Sequence, residues 1–443
     1  MEVKVRPFDC WNDFKNYRMN YYKEYLEAKD KGGIRWAGSA WSFDPVPQGL
    51  GEDVYPLTGE PYGATAAFFK DFSMRALETI ERKGAARDLC GYMRNYWGSV
   101  AMDRYLLADG SEIEPFPKPD FNFTIHICCS HAKWYHYAAE LEGGVPTYAV
   151  DISVGPGYTL DDKKIEYVVR QLEDAITWME KVTGREYDDE LLIKAVENEA
   201  KSMTLWAKIC KLNQAKPAPM EEKSMFSFYV LTLIRRSDER VVKLYEQLYR
   251  EVENRVKKGI GALTYEQFRF VTDNPPPWPF LKVYRYLEQN YGAVSVGSIY
   301  TFGLGAAWLG MDEKGENWIW EPAPTPEEAG FEIHDRRSAL WWTALFNLKY
   351  RASWQHEYSH WVRKQETYQM VKDWHTDAII MHLNRGCELW NMSTLEVRDY
   401  LVNKGIPVAT YEGNMADPRE FDEARTFNVI DSFMQSLGIE KLT

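Results

Sequence analysis

The chain has 443 residues, of which 45% are hydrophobic and 27% charged, and its net charge is −13. This length exceeds one ordinary hydrophobic core, so two or three domains are expected. The acidic balance excludes a nucleic-acid partner or an anionic membrane surface, because both require a basic patch. The first residues resemble no signal peptide, and the uncharged residues 289–311 contain too many glycines and polar residues for a membrane span. We therefore expect a cytoplasmic protein that does not contact membranes, with its six cysteines reduced.

The middle of the chain carries the clearest helical pattern. Apolar residues recur every three or four positions between residues 163 and 182, and Gly184 supplies a stop signal. A second helix is predicted over residues 188–212. A third is predicted over residues 224–257, with a break near residues 236–238.

Short strand-like runs lie on both sides of this helical block. They are residues 121–127, 147–152, 268–271, 293–296, 377–383 and 407–411. Short apolar strands that alternate with helices predict parallel sheets with crossover helices. We therefore predict an α/β fold with two doubly wound, flavodoxin- or Rossmann-like domains. The N-terminal domain would span residues 1–160, a helical segment residues 161–262, and the C-terminal domain residues 263–443.

A faint internal repeat relates the two predicted sheets. The first half contains FTIHICC, a helix and GGVPTYAVD, and the second contains IIMHLNRGC, a helix and KGIPVATYE. His126 and His382 occupy matching strand positions, and Cys128 and Cys387 follow near the strand ends. Open parallel sheets bind ligands just beyond the carboxyl ends of their strands. We therefore predict a ligand site between the two domains, at these ends.

The cysteines near these strand ends allow two interpretations. Free cysteines are often small buried hydrophobes, and we assign Cys210 to the core because it falls on an apolar helix stripe. Cys128 and Cys387 stand instead where a ligand would bind, and Cys90 lies near a predicted helix end. Cys128 and Cys129 are adjacent, so they cannot share one face of a strand. Spacing alone leaves open whether any of them binds a metal.

A competing motif lies in the second half of the chain. Residues 356–360 read HEYSH, which has the HExxH spacing of a zinc protease. No third zinc ligand has an obvious position. The chain contains neither a P-loop nor a GxSxG elbow, so ATP hydrolysis by a P-loop and this type of nucleophilic hydrolysis are not expected.

The most specific residues lie in the stretch 377–435, which contains NRGC, GIPV and EGNMADPREFD. This stretch resembles the benzoyl-CoA reductase / 2-hydroxyacyl-CoA dehydratase family, most closely the larger cluster-bearing subunit of ATP-dependent benzoyl-CoA reductases. Upstream, the segments DLCGYMRNYWG and ICCSHAKWY resemble the family's two N-terminal cysteine segments. The resemblance covers about residues 30–440.

The resemblance implies one [4Fe–4S] cluster held by three cysteines, which are Cys90, Cys128 and Cys387. Three thiolates leave one iron open to water, sulfide or substrate. In the family motif, the ligand cysteine precedes a lysine by five residues. Cys128 stands five residues before Lys133 and Cys129 only four, so Cys128 fits better than its neighbour.

The resemblance also implies partners and an activity. The chain would pair with a smaller homologous cluster-bearing subunit and receive electrons from ATP-hydrolysing iron–sulfur activator subunits, with ferredoxin as upstream donor. The substrate would be an aryl-CoA thioester such as benzoyl-CoA, reduced in one-electron steps to a cyclohexadiene-carboxyl-CoA. The alternatives are a subunit of a radical 2-hydroxyacyl-CoA dehydratase, an electron-relay subunit that does not touch substrate, and the zinc protease.

Proton donors are the least defined part of the predicted site. His126, His131 and His382 lie near strand ends and are candidates. Ser39 and Glu60 fall where the family's N-terminal active-site loops would lie. Each of these residues also has an ordinary structural interpretation as a core or surface side chain.

Overall fold

Two four-stranded parallel sheets organise the computed structural model, which describes residues 4–152, 160–311, 314, 318–351 and 360–442. The predicted α/β class is confirmed. Several strands are buried along their whole length, as expected for parallel sheets that are covered on both faces. Within the described ranges, no helix is both long and apolar enough to cross a bilayer.

The N-terminal sheet contains strands β1 (Ile34–Gly38), β2 (Val54–Thr58), β3 (Phe121–Ile125) and β4 (Thr147–Val150) in the order β2-β1-β3-β4. The sequence predicted β3 and β4 but not β1 and β2, because a charged residue and a proline interrupt those short apolar runs. The helices of this half are Trp11–Glu27, Pro45–Gln48, Gly59–Phe68, Lys70–Arg82, Gly91–Ala101 and His131–Leu141.

The C-terminal sheet contains β5 (Phe268–Thr272), β6 (Ala293–Ser298), β7 (Ala378–Asn384) and β8 (Val408–Gly413) in the order β6-β5-β7-β8. All four strands were predicted. The helices of this half are Lys282–Tyr291, Ile299–Phe302, Arg336–Tyr350, His360–Asp373, Glu388–Asn391, Thr394–Asn403 and Glu423–Ser436. The described residues also form three two-stranded sheets. These pair Lys4–Val5 with Ile260–Gly261, Tyr105–Leu106 with Glu112–Ile113, and Ala307–Met311 with Trp318–Pro322.

The central helices agree with their predicted positions. They are Asp162–Thr183, Asp189–Leu212, Glu222–Tyr229 and Glu239–Lys258. Asp161, Asp188 and Asp238 cap three of them by accepting hydrogen bonds from backbone amides, and Gly184 ends the first helix with a φ of 69°. The domain boundaries at residues 160 and 262 stay predictions.

The two sheets have the same topology, which agrees with the internal repeat. In each sheet, the first strand pairs with the second on one side and with the third on the other. The strand order therefore reverses between β1 and β3, and again between β5 and β7. Such switch points form crevices outside the carboxyl ends of the strands, where open sheets bind ligands. The loops after β3 and β7 carry Cys128 and Cys387.

The helix Gly91–Ala101 of the N-terminal half contacts the segments that follow β7 and β8 of the C-terminal sheet. Gly91 N donates to the carbonyl of Gly386 at 3.2 Å, and Asn95 Nδ2 donates to the carbonyl of Ala416 at 2.9 Å. A Cβ atom at Gly386 would lie 2.3 Å from Asn414 Oδ1, and one at Gly91 would lie 2.8 Å from the same atom. A side chain at either glycine would therefore displace Asn414, whose Oδ1 accepts hydrogen bonds from Ala416 N and Asp417 N.

Buried ion pairs reinforce the same junction. The Arg94 side chain is fully buried, and both of its Nη atoms donate to Asp417 Oδ2 at 3.1 Å. Arg94 also pairs with Glu81 at 3.1 Å, and Arg419 donates to Asp417 Oδ2 at 2.6 Å. We refer to Gly91, Gly386, Arg94 and Asp417 as the inter-sheet clasp.

Arg94→Met is expected to lower the free energy of unfolding by about 3 kcal/mol, because it leaves the buried Asp417 carboxylate with less compensation. Urea unfolding followed by circular dichroism measures the change. The control is Arg82→Met. The Arg82 side chain is 79% exposed and forms a surface ion pair with Glu78 at 3.5 Å, so its loss should change the free energy of unfolding little. Equal effects of the two substitutions would contradict a stabilising role for the clasp.

Candidate functional site

A narrow cavity lies where the loops of the two sheets meet. Cys90, Cys128 and Cys387 all line it. Cys90 and Cys387 each stand immediately before a helix, and Cys128 stands three residues before one. The structure thus brings together three cysteines that are far apart in the sequence. Their role as metal ligands stays a prediction.

A row of charged groups lies beside Cys128. Burial acts to raise the pKa of this thiol, but the charge and the hydrogen bond of His131 outweigh burial and lower the pKa below its usual value. Burial likewise acts to lower the pKa of His131, whereas Cys128 and Glu60 raise it well above the usual value. His131 Nε2 contacts Glu60 Oε1, and Glu60 Oε2 accepts a hydrogen bond from Ala40 N at 2.8 Å. Cys128, His131 and Glu60 thus form a row of three titratable side chains, each in contact with the next.

Two other cysteines of the cavity, Cys90 and Cys129, have raised pKa values, which favour the neutral thiol. Burial raises the pKa of Cys90 to about 12. Cys129 also lines the cavity but is exposed, and burial, Cys128 and Glu388 raise its pKa. Its Sγ lies 3.6 Å from Glu388 Oε2, to which it donates. Of the two adjacent cysteines, Cys128 is therefore the one whose pKa is lowered, which is the direction that favours metal binding.

Aromatic side chains form much of the remaining cavity wall. They are Trp41, Tyr92, Trp134 and Trp390. The Trp41 ring centroid lies 6.2 Å from that of His131, and Tyr92 Oη accepts a hydrogen bond from Trp278 Nε1 at 2.6 Å. Rings of this kind keep water away from a reacting group. The high aromatic content suggested an apolar pocket, but no sequence pattern identified these four residues as its wall.

The other residues predicted for the site, Ser39, His126 and His382, lie outside the lining of the cavity. The Ser39 hydroxyl is buried and accepts from Thr124 at 3.3 Å. His126 lies one residue beyond β3, with its ring centroid 6.5 Å from that of His136. His382 lies inside β7 and its Nδ1 is 2.9 Å from the carbonyl of Pro275, while burial lowers its pKa to about 4. Of the three candidate histidines, His131 is the one on the cavity wall.

The three cysteines of the cavity are donors of the kind that iron–sulfur clusters use. Among the residues that the structure describes, no three His, Cys, Asp or Glu side chains converge where one ion could bind. The thiolates around a cluster bind separate iron atoms, so they surround a cavity rather than meet at a point.

Of the HExxH motif, residues 356–359 lie outside the described residues, and the exposed His360 begins a helix.

A family model and individual known proteins indicate the same family for this chain. A family model described as 2-hydroxyglutaryl-CoA dehydratase, D-component, matches residues 57–321 and 345–437. The (R)-phenyllactyl-CoA dehydratase alpha subunit of Clostridium sporogenes is 27% identical over 406 residues, which are 90% of this chain and 88% of that protein. The (R)-2-hydroxyisocaproyl-CoA dehydratase alpha subunit of Clostridioides difficile is 25% identical over 419 residues, covering 91% and 90%. A benzoyl-CoA reductase subunit of Thauera aromatica is 24% identical over 366 residues, covering 80% and 78%. The chain therefore belongs to the 2-hydroxyglutaryl-CoA dehydratase D-component family.

Proposed function

We propose that this chain is the alpha-type iron–sulfur subunit of a radical 2-hydroxyacyl-CoA dehydratase. The observation that carries the proposal is the placement of Cys90, Cys128 and Cys387 around one aromatic-walled cavity between the two sheets. The sequence motifs favoured an aryl-CoA reductase, with the dehydratase as the alternative. The comparisons favour the dehydratase. The alignments with the two dehydratase alpha subunits cover at least 90% of this chain, and the alignment with the reductase subunit covers 80%.

The three cysteines would hold a [4Fe–4S] cluster and leave one iron without a protein ligand. When bound, such a cluster supplies single electrons and an open coordination position. Cys128 is hydrogen-bonded to His131, whereas Cys129 is exposed and donates to Glu388. These contacts support Cys128 as the ligand of the adjacent pair.

The remaining groups of the wall suit a dehydration. The reaction removes a hydroxyl group from C2 and a hydrogen from C3 of the acyl chain, and the departing oxygen leaves as water. A group that holds a proton beside the leaving oxygen assists such a step. His131 Nε2, in contact with Glu60 Oε1, holds that proton on the wall. Trp41, Trp134 and Trp390 limit the access of water to a radical substrate.

Partners are part of the proposal. The relatives are themselves named as subunits, a word that describes components of larger assemblies. We propose a smaller homologous cluster-bearing subunit as the heterodimer partner. ATP-hydrolysing iron–sulfur activator subunits, with ferredoxin as upstream donor, would supply the electrons.

A benzoyl-CoA reductase subunit is the second candidate. It is favoured by the similarity to the benzoyl-CoA reductase subunit of Thauera aromatica over 80% of the chain. The same cysteines and the same wall would serve it, with a cyclohexadiene-carboxyl-CoA as product. The two candidates therefore differ in the substrate that the assembled enzyme accepts.

Cys128→Ser is expected to abolish cluster binding, because it removes a thiolate from a set of three. Cys129→Ser should retain about four irons per chain, the content of one [4Fe–4S] cluster. Iron and acid-labile sulfide are measured in anaerobically purified protein, together with the visible absorption spectrum. Loss of iron in Cys129→Ser and retention in Cys128→Ser would show that the wrong neighbour was chosen. One zinc and no iron in the wild-type protein would exclude the cluster.

The product of the assembled enzyme tests the activity. With the partner and activator subunits, ATP and a low-potential reductant, we expect (R)-phenyllactyl-CoA or (R)-2-hydroxyisocaproyl-CoA to give the 2-enoyl-CoA. Anaerobic mass spectrometry detects the loss of water. An assembly that contains Cys128→Ser is the inactive control. Formation of a dienoyl-CoA from benzoyl-CoA, without any enoyl-CoA from the hydroxyacyl substrates, would favour the reductase instead.

A further inference from the structure

A buried guanidinium lies directly behind the cavity wall. The Arg363 side chain is 1% exposed and belongs to the helix that begins at His360. Its Nη1 donates to the carbonyl of Trp390 and to Ser393 Oγ, the latter at 3.1 Å. Its Nη2 donates to Asp273 Oδ2 and to Thr394 Oγ1, both at 3.3 Å. This one side chain therefore connects the loop after β5 to the segment after β7.

The segment that Arg363 contacts is the one that carries Cys387. Trp390 follows Cys387 by three residues in the same short helical segment, and both residues line the cavity. The Arg363 guanidinium also lies 5.6 Å from the centroid of the Trp390 ring. Arg363 thus fixes both the backbone and the ring of the residue that completes the first turn after Cys387.

Charge couples Arg363 to the cysteine as well. Burial lowers the pKa of Arg363, while Asp273 and Cys387 act in the opposite direction. Arginine keeps its charge in proteins even so, because its intrinsic pKa is very high. The guanidinium is therefore a permanent positive charge within electrostatic reach of the Cys387 sulfur, in surroundings where water screens little.

Asp273 provides a counter-charge to the Arg363 guanidinium, with its Oδ2 at 3.3 Å from Nη2. Its carboxylate is 1% exposed, and its Oδ1 accepts from His382 N at 3.1 Å. Asp273 stands two residues before Pro275, which lines the cavity. Arg363 contacts the Cys387 segment directly, whereas Asp273 reaches that segment through Arg363 and through Asn274.

We propose that Arg363 is a positioning residue that holds the Cys387 segment and supplies the fixed positive charge that raises the reduction potential of the cluster bound there. This inference rests on the proposed function. Reduction adds one electron, and therefore one negative charge, to the cluster. A buried cation beside a thiolate ligand stabilises that added charge, and a buried anion opposes it.

The test is the midpoint potential of the cluster in the purified full-length chain, measured by an anaerobic redox titration that is monitored by electron paramagnetic resonance. Arg363→Met should shift the potential to more negative values, because the positive charge is lost. Arg363→Lys should restore a potential close to that of the wild type. Asp273→Asn removes the counter-charge and leaves the guanidinium, so its shift should be positive. The matched control is Arg385→Met, two residues before Cys387 but with a side chain 62% exposed, and its shift should be negligible.

The outcomes distinguish a failure of the proposed iron–sulfur function from a failure of the proposed role of Arg363. A wild-type chain without a cluster overturns both proposals. A wild-type chain with a cluster, together with unchanged potentials or shifts of the same sign in Arg363→Met and Asp273→Asn, overturns the role of Arg363 alone. If Arg363→Met does not bind the cluster, the proposal is tested by the sign of the change in midpoint potential in Asp273→Asn. A positive shift supports the electrostatic role, and a negative or absent shift overturns it.

Discussion

The close backbone contact between the Cys90 and Cys387 segments is the constraint on which the site depends. Gly91 N donates to the Gly386 carbonyl, and the Asn414 side chain occupies the space that a Cβ atom would need at either glycine. Packed interiors do not yield to an added atom without a shift of the backbone. Cysteines from opposite halves of the chain can therefore line one cavity only while this contact holds. Arg94 and Asp417 stabilise the contact with a pair of opposite charges that is fully removed from water.

Within the site, specific partners rather than burial alone decide the charge of each group. Cys90 and Cys128 line the same cavity, yet the pKa of Cys90 is raised to about 12 and that of Cys128 is lowered. The difference is His131, whose own charge is supported by Glu60. Arg363 and Asp273 follow the same rule behind the wall, where each buried charge is compensated by the other. The chemistry of the cavity is thus arranged by pairs of residues that are distant in sequence.

Those pairs explain which parts of the molecule could be predicted from the sequence. The predicted runs within β3 to β8 are rich in apolar and β-branched residues, so their positions followed from local pattern. Strands β1 and β2 contain Arg35 and Pro56, and their burial depends on neighbours that are not visible locally. The cysteines were found through motifs that resemble a family. Glu60 pairs with His131 across 71 residues, and no spacing rule predicts such a contact. The comparisons reverse the order of preference between reductase and dehydratase, because the motifs describe the cluster segments and not the substrate.

The distribution of the cysteines over the two sheets has a thermodynamic consequence. Cys90 and Cys128 belong to the N-terminal half and Cys387 to the C-terminal half. A group bound by all three is a covalent bridge between the halves, in addition to the clasp. The free energy of binding that group then contributes to the association of the halves. Binding of such a group and closure of the interface would be thermodynamically linked, so its oxidation or extraction would also loosen the chain at the junction of its two sheets.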